Sequence, residues 1–358
     1  MDCFCFCSRC HSGHCSLIEP YVNSLRLPHS PYLKAGEPLQ SACYSRLCRH
    51  DEIMTWEGKD AAGLLAAGMK PSTLTRLLSL LPDYGNYERL SADELNELEL
   101  PRVKPVEVDL KGLTTVLFGS EQYPQRLAAI SAPPPVLFVK GTLPQAAGIA
   151  LIGTRQMTRI GASVASIGAK AAKELDVPVV SGLALGCDTA AHKAALEVDG
   201  LTVAVLSHGL DTTHPLENAD LALSILEKGG ALVSEHPPGV PASAGRLQAR
   251  NRIITGLSSV VVPCETPRGS RGTLGAIGYA LSESRFLLVA RVRPSYRNNP
   301  GAWLGEIAAR GKIDPDLFGF SGAAAKALSQ QGFLANGVAE TPEELVEMLK
   351  ICVWLDRR

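Results

Sequence analysis

Aromatic residues make up only 5% of this sequence. Proteins that hold exposed bases by ring stacking need many aromatic faces, so a stacking platform for nucleic acid is not expected. Net charge is nearly absent as well: 35 Lys and Arg stand against 36 Asp and Glu, a formal −1. The chain is no bulk polycation, and any nucleic-acid site must be a local patch. No apolar run approaches the roughly 20 residues of a membrane-spanning helix. The first residues lack the basic start and apolar middle of a secretory signal. The cytosol is the expected location, with no membrane partner. A GxGxxG turn is also missing, since the glycine after Gly153 is Gly161. A bound dinucleotide is not expected, and neither is any other cofactor.

Cysteine is nearly missing from the body of the chain. Cys3, Cys5, Cys7, Cys10, Cys15, Cys43 and Cys48 sit at the start, leaving only Cys187, Cys264 and Cys352. In a reducing compartment these three are expected as free thiols. Residues 1–53 also carry His11 and His14 and show no helical or strand period. The ligand types suit zinc, but they are bunched between Cys3 and Cys15, whereas a structural site joins two ligand pairs across a loop. We expect a leader that is disordered or not part of the working protein, with Met54 as the functional start.

What is present is ample apolar content, 46% of 358 residues. A soft prior of roughly 100–200 residues per domain gives two or three domains. Residues 58–104 read as a small N-terminal helical module. Ala61–Met69 and Leu74–Leu81 are helix formers, Pro71 and Pro82 are breakers, and Ser91 with Glu94 is a capping-box pair. Pro101 and Pro105 form a linker. Residues 112–292 then alternate strand and helix. The strands are Val136–Val139, Ile149–Ile152, Val177–Val180, Leu201–Leu206, Ala231–Val233, Val260–Val262 and Phe286–Val289. Helices are expected over Gly161–Leu175, through His192 to Glu197, and over Asn218–Lys228, Leu247–Leu257 and Leu274–Leu281. Such alternation implies an α/β fold, a doubly wound, mostly parallel sheet covered on both faces. Residues 293–320 read as irregular. Residues 321–355 read as two short helices split near 332–341, with Leu345, Met348 and Leu349 packing on a neighbour.

Doubly wound sheets bind ligands beyond the C-terminal ends of their strands, and four segments fall there. Gly153-Thr-Arg155 follows a strand, and Arg155 can hold a phosphate with a two-pronged bond. Ser181-Gly-Leu-Ala-Leu-Gly-Cys-Asp-Thr-Ala-Ala-His192 reads as strand, glycine turn and helix start, a natural seat for an anion. Its Asp188 and His192 share a helix face, which suits either a cap or an acid–base pair. In Leu247–Leu257 the helical period puts Arg250 inside the apolar stripe with Leu247, Ile253, Ile254 and Leu257. A guanidinium there needs an anion, a ligand or a carboxylate such as Glu235 or Glu265. Arg252 points nearly opposite, toward solvent or another segment. In the fourth segment, Gly269, Ser270, Gly272 and Thr273 can cradle an anion, with Arg268 and Arg271 adding charge. Arg291, Arg293 and Arg297 read as a solvated basic rim. His208, Asp211 and His214 have metal-ligand types, but a turn explains them equally well.

These residues together resemble the DNA-processing protein A (DprA/Smf) family. The likeness runs from about Tyr123 to Val289. It includes Tyr123-Pro-Gln-Arg-Leu, Pro135-Val-Leu-Phe-Val-Lys-Gly141, Gly153-Thr-Arg155, Ser181 to His192, Pro215-Leu-Glu-Asn218, Ser234-Glu235 and Arg250-Asn-Arg-Ile-Ile-Thr-Gly-Leu-Ser258. The resemblance implies an extended Rossmann-like fold. It implies binding of single-stranded DNA, delivery to a RecA-type recombinase in natural transformation, and a homodimer, with no chemical reaction. Carried over by motif, Gly153, Thr154, Arg155, Ser181, Gly182, Arg250 and Asn251 meet DNA phosphates beside the Gly269–Thr273 loop. The chain departs from the family at Leu185, where members carry Arg or Lys, and at His214, where Tyr is usual. Lys193 or Arg159 are candidate replacements for the missing cation. After Val289 the pattern fades, with no winged-helix tail. Pro267–Thr273 also resembles the loop of LOG-type nucleotide phosphoribohydrolases. Those enzymes place glutamates directly after it, where this chain has Gly275 and Ala276, so the acid–base group is missing. A sensor binding a free nucleotide is the third reading.

Overall fold

The computed structural model describes residues 56–81, 83–291, 303–309, 322–331 and 334–357. The cysteine-rich leader, Pro82, Arg293 and Arg297 lie outside these residues. Four short helices come first: α1 (Gly58–Ala66), α2 (Pro71–Leu80), α3 (Tyr84–Arg89) and α4 (Ala92–Glu97). The capping box of α4 is present, with Glu94 N donating to Ser91 Oγ at 3.2 Å and Ser91 N to Glu94 Oε2 at 2.8 Å. Pro71 is not a breaker but the first residue of α2. Its missing N–H costs nothing there, and its fixed φ suits a helix start. The unexpected α3 is capped by Asp83, whose carboxylate accepts from Asn86 N at 2.7 Å. Leu64, Leu74, Leu77 and Leu78 from these helices join Phe138, Ala204 and Leu232 of the sheet, and Leu206 just past a strand end, in one apolar cluster.

The strands are β1 (Thr114–Leu117), β2 (Val136–Gly141), β3 (Gly148–Gly153), β4 (Val179–Ser181), β5 (Thr202–Val205), β6 (Ala231–Ser234), β7 (Ser258–Glu265), β8 (Phe286–Ala290) and β9 (Gly337–Ala339). They form one sheet in the order β1-β2-β6-β5-β4-β3-β7-β8-β9. Pairing is parallel from β6 to β9, and antiparallel only at the β1–β2 and β2–β6 edge. From β3 the chain winds outward through β4, β5 and β6, then crosses back to β7 and winds the other way. This is the expected doubly wound, mostly parallel, Rossmann-like sheet. The reversal sets the switch point between β3 and β7. All eight residues of β7 are buried, as a central strand covered on both faces requires.

The remaining helices are α5 (Gln125–Ala128), α6 (Arg159–Glu174), α7 (Cys187–Glu197), α8 (Ala219–Glu227), α9 (Ala244–Ala249), α10 (Asn251–Gly256), α11 (Arg271–Ser282), α12 (Trp303–Ala309), α13 (Gly322–Gln331) and α14 (Pro342–Asp356). One face of the sheet packs on α6, α7 and α14, and the other on α10, α11 and α13. Leu345, Met348 and Leu349 of α14 are buried there, as their spacing predicts.

Three expectations change. The single helix over Leu247–Leu257 is two, α9 and α10, meeting at Arg250. The ladder tightens at that point, where Ile253 N bonds Arg250 O at 2.9 Å, an i+3 contact. The split lets α9, which buries no residue, stay on the rim while α10 dives into the core. Within the stretch expected to be irregular, α12 forms. Between the two tail helices lies β9, parallel to β8, too short to show a period of two.

Candidate functional site

The parallel strands deliver the chain to one end of the sheet at Gly153, Ser181, Val205 and Glu265. The turn after β4 is held from several sides. Ser181 Oγ donates to Leu151 O at 2.6 Å, fixing the strand end. Gly182 lies against the Arg250 guanidinium so closely that a Cβ would sit 1.8 Å from Nη1. Leu183 has φ +63, a costly backbone for leucine. Asn218 Nδ2 holds it by donating to Leu183 O at 2.8 Å. Gly186, at φ +81, passes so near the β3 turn that a Cβ would meet Thr154 O at 2.4 Å. Cys187 N then donates to Thr154 O at 3.0 Å, lacing the two turns together.

These turns enclose a cleft of about 60 Å³ with Arg155, Gly182, Leu185, Ser207, His214 and Leu247 in its lining. Among the described residues, Arg155 is its one permanent cation, His214 its one histidine, and no carboxylate lines it. Leu185 stands 41% exposed at the mouth. Lys193 and Arg159 are exposed, but neither lines the cleft. Sequence reasoning did not name Ser207, placed Leu247 only on the apolar face of its helix, and read His214 as a metal candidate, a turn residue and a departure from the family's usual Tyr. The signal available was its place just beyond a strand end.

Behind the cleft lies a buried polar layer. Arg250 is only 5% exposed; its Nη1 donates to Val205 O at 2.6 Å, and its Nε has no partner. Burial lowers its pKa below the usual arginine range, Asp188 opposes that, and Arg155 adds to it. Asp188 is buried too, and burial pushes its carboxyl up against the pull of Arg250 and the Ala184 and Gly182 amides. Ala184 N lies 3.3 Å from Asp188 Oδ2. Asp188 thus takes up one amide of the turn where the sequence suggests a seat for an anion.

His192 is fully buried, with Nδ1 2.7 Å from Thr202 Oγ1. That hydroxyl donates to Val179 O at 3.0 Å, so Nδ1 carries the proton and Nε2 is left bare. Burial, then the Arg250 charge, lowers its pKa from 6.5 to about 3. The sign follows from linkage. Between pH 6.5 and about 3 the unfolded imidazole takes a proton that the folded one refuses. Stability is therefore full above pH 6.5 and is lost as pH falls through this window. Urea midpoints of the wild type should drop more steeply from neutral to acid pH than those of His192→Gln. Parallel curves would show that His192 protonates in the fold.

The switch-point crevice is filled in the same way. The Glu265 carboxylate accepts from Thr158 N at 2.7 Å, Thr158 Oγ1 at 3.1 Å and Gly161 N at 3.2 Å, capping α6. Gly153 and Thr154 face inward here, and Thr154 N donates to Glu265 O at 3.0 Å, while Arg155 is exposed. Glu265→Ala strands these amides and should cost about 2–4 kcal/mol in urea unfolding. A loss under about 1 kcal/mol would mean that water replaces the cap.

At the start of α11, Ser270 Oγ and Thr273 Oγ1 bond each other at 3.0 Å. Asn251 Nδ2 donates to Gly272 O at 3.1 Å, pinning α10 to this turn. A Cβ on Gly269 or Gly272 would meet open space, and Arg268 and Arg271 are exposed beside them. None of these residues lines the cleft. The carboxylates weighed as partners for Arg250 are engaged elsewhere. Glu265 caps α6, and Glu235 takes Arg252, not solvent, through Nη1–Oε1 at 2.7 Å and Nη2–Oε2 at 2.6 Å. His208 folds into its own turn, with Nδ1 2.8 Å from Gly209 O and Nε2 accepting from His214 N at 3.2 Å. Arg291 pairs with Glu340 at 2.7 Å. Cys187, Cys264 and Cys352 are free and buried.

A larger cavity, about 370 Å³, opens at the opposite end of the strands beside Pro178, Val203, Leu257 and Ser259. Its Arg126 is ion-paired with Asp356, so that cation is already engaged. Among the described residues, no helix is long and apolar enough to cross a membrane.

The fold and the cleft place this chain among doubly wound α/β proteins with a small cleft at the strand ends. Residues 114–304 match the family of DNA recombination-mediator protein A, and the chain belongs to that family. The DNA processing protein DprA of Bacillus subtilis is 32% identical over 255 residues, 69% of this chain and 83% of that protein. Protein Smf of Escherichia coli is 41% identical over 185 residues, 51% of this chain and 48% of its own length. The chain thus spans about half the length of that relative. The X-ray structure of DprA from Streptococcus pneumoniae shares the fold, with a TM-score of 0.50 and 24% identity over 81% of this chain and 92% of that one.

Proposed function

We propose that this protein binds single-stranded DNA across the strand-end cleft and delivers the strand to a RecA-type recombinase during DNA uptake. It acts as a homodimer in the cytoplasm, with no chemical step of its own. One observation carries the reading: the exposed Arg155 stands beside the Gly182 turn in a cleft that, among the described residues, has no carboxylate in its lining. A phosphate finds a guanidinium there and meets no like charge. Gly153, Thr154, Ser181, Gly182 and Arg250 hold the turns that aim Arg155. Asn251, Gly269, Ser270, Gly272 and Thr273, with Arg268 and Arg271, continue the path toward α11. Phosphate contacts position a strand without reading its sequence. The family's description as a recombination mediator, and relatives named DNA processing proteins, support strand handling.

The test is binding of a labelled dT oligomer against duplex at several salt concentrations. The oligomer should bind more tightly, with affinity falling steeply as salt rises. Arg155→Ala should weaken it about tenfold, the value of one charged hydrogen bond. Equal affinity for duplex, or an unaffected Arg155→Ala variant, removes the reading. Release of free base from nucleoside monophosphates would instead favour nucleotide hydrolysis, for which the described residues of the cleft lining offer no acid–base carboxylate. Light scattering on the free protein tests the dimer, and strand exchange with a recombinase tests delivery.

A further inference from the structure

We propose that His214 is a second phosphate contact of the cleft, one that gains its charge only on protonation, so that single-stranded DNA is held more tightly as pH falls. The proposal rests on the single-strand reading above. His214 is exposed in the lining of the same cleft as Arg155. Leu185, exposed at the mouth, contributes no charge, so among the described residues Arg155 meets an incoming strand as the lining's sole fixed cation. Histidine is the side chain whose ordinary titration falls between about pH 5 and 8. An imidazolium adds both a charge and a second N–H donor toward an anion.

The groups around His214 leave that charge available to a ligand. Across the cleft, the β3 turn contributes Arg155, and the β4 turn contributes Gly182, Ala184 and Leu185. From α9 comes Leu247, which is apolar. The neighbouring Arg246 is turned away, its Nη1 donating to Pro241 O at 2.9 Å. On its own segment His214 faces His208, with ring centroids 6.3 Å apart and nearly perpendicular. His208 has both nitrogens engaged, one with Gly209 O and one with the His214 amide. Asp211 on the same segment accepts from Gly239 N at 2.9 Å, and Glu217 is exposed and does not line the cleft. Asp188 lies buried beneath the β4 turn, engaged with its amides. Among the described residues, no carboxylate in the lining competes with a phosphate for a protonated His214.

The experiment is dT-oligomer binding at fixed ionic strength from about pH 8 to about pH 5.5, repeated at several salt concentrations. Circular dichroism checks the fold at each pH. Wild-type affinity should rise roughly fivefold toward acid pH, the value of one partly exposed charged contact. Its salt slope should steepen by about 0.7, one more phosphate neutralised on a single strand. His214→Gln should flatten the pH profile and keep one salt slope throughout. His214→Lys should show the steeper slope already at the alkaline end. Parallel pH profiles in wild type and His214→Gln, with binding intact, would overturn the His214 assignment alone. Absence of binding at every pH would overturn it together with the single-strand reading.

Discussion

Arg252→Ala is expected to cost about 3–5 kcal/mol of folding stability, the usual loss when one half of a buried ion pair is removed. Glu235 is buried and Arg252 mostly so, with side chains 7% and 12% exposed. The pair is a parallel fork, the strongest arrangement of guanidinium and carboxylate. Arg252 does more than neutralise Glu235, since its Nε also donates to Ala132 O at 2.8 Å and its Nη1 to Ala249 O at 3.0 Å. One side chain therefore ties α10, the end of β6 and the segment before β2. Alanine leaves a buried carboxylate and stranded carbonyls. Replacing both partners, as Arg252→Met with Glu235→Leu, should recover much of the loss, because the orphaned charge goes too. Urea unfolding near neutral pH measures both. A single-mutant loss under about 1 kcal/mol would show that water reaches the pair.

Gly182→Ala is the second large effect, and it reads on binding as well as stability. The new Cβ would lie 2.3 Å from Arg250 Cζ as well as against Nη1. A side chain normally moves aside for a methyl group. This one is buried, bonded to Val205 O, and already has an unpartnered Nε. Displacing it strands the guanidinium and removes the cation beside Asp188. We expect dT affinity to fall by more than tenfold, beyond what loss of one phosphate contact costs, together with a lowered unfolding midpoint. Arg250→Ala should also weaken binding, acting through the turn. The double variant Gly182→Ala, Arg250→Ala removes the clash and should be far less destabilised than the two single effects summed. Additive losses would mean that the guanidinium is not wedged against this glycine.

The elements around the site were legible in the sequence where a pattern is local. Val177–Val180 followed by a glycine turn and a small-residue helix predicts strand, turn and helix, and β4 (Val179–Ser181) and α7 form there. The capping box at Ser91 is equally local. What stayed hidden depends on distant partners. Glu265 caps α6 from 107 residues away in sequence, so no spacing rule connects it to Thr158. Its effect on the site is large: the helix N-terminus at the switch point is filled from within. Asp188 takes one amide of the β4 turn, where the sequence suggests a seat for a ligand's phosphate. Arg250 and Arg252 show a different limit. A continuous helical wheel puts Arg250 inside and Arg252 outside. The break at Arg250 lets both be enclosed, and it is Arg252 that finds Glu235. Of the turns expected to share one pocket, Arg155 and Gly182 meet in the cleft, and the Gly269–Thr273 turn does not line it.

The central claim is that the strand enters at the C-terminal ends of β3, β4 and β5. Hydrogen–deuterium exchange with and without a saturating dT oligomer tests it most directly. Protection should fall on residues 154–158, 183–187 and 207–215, the three turns around the cleft. Protection confined to residues 143–147 and 356–357, beside the larger cavity at the other end of the sheet, would contradict the account.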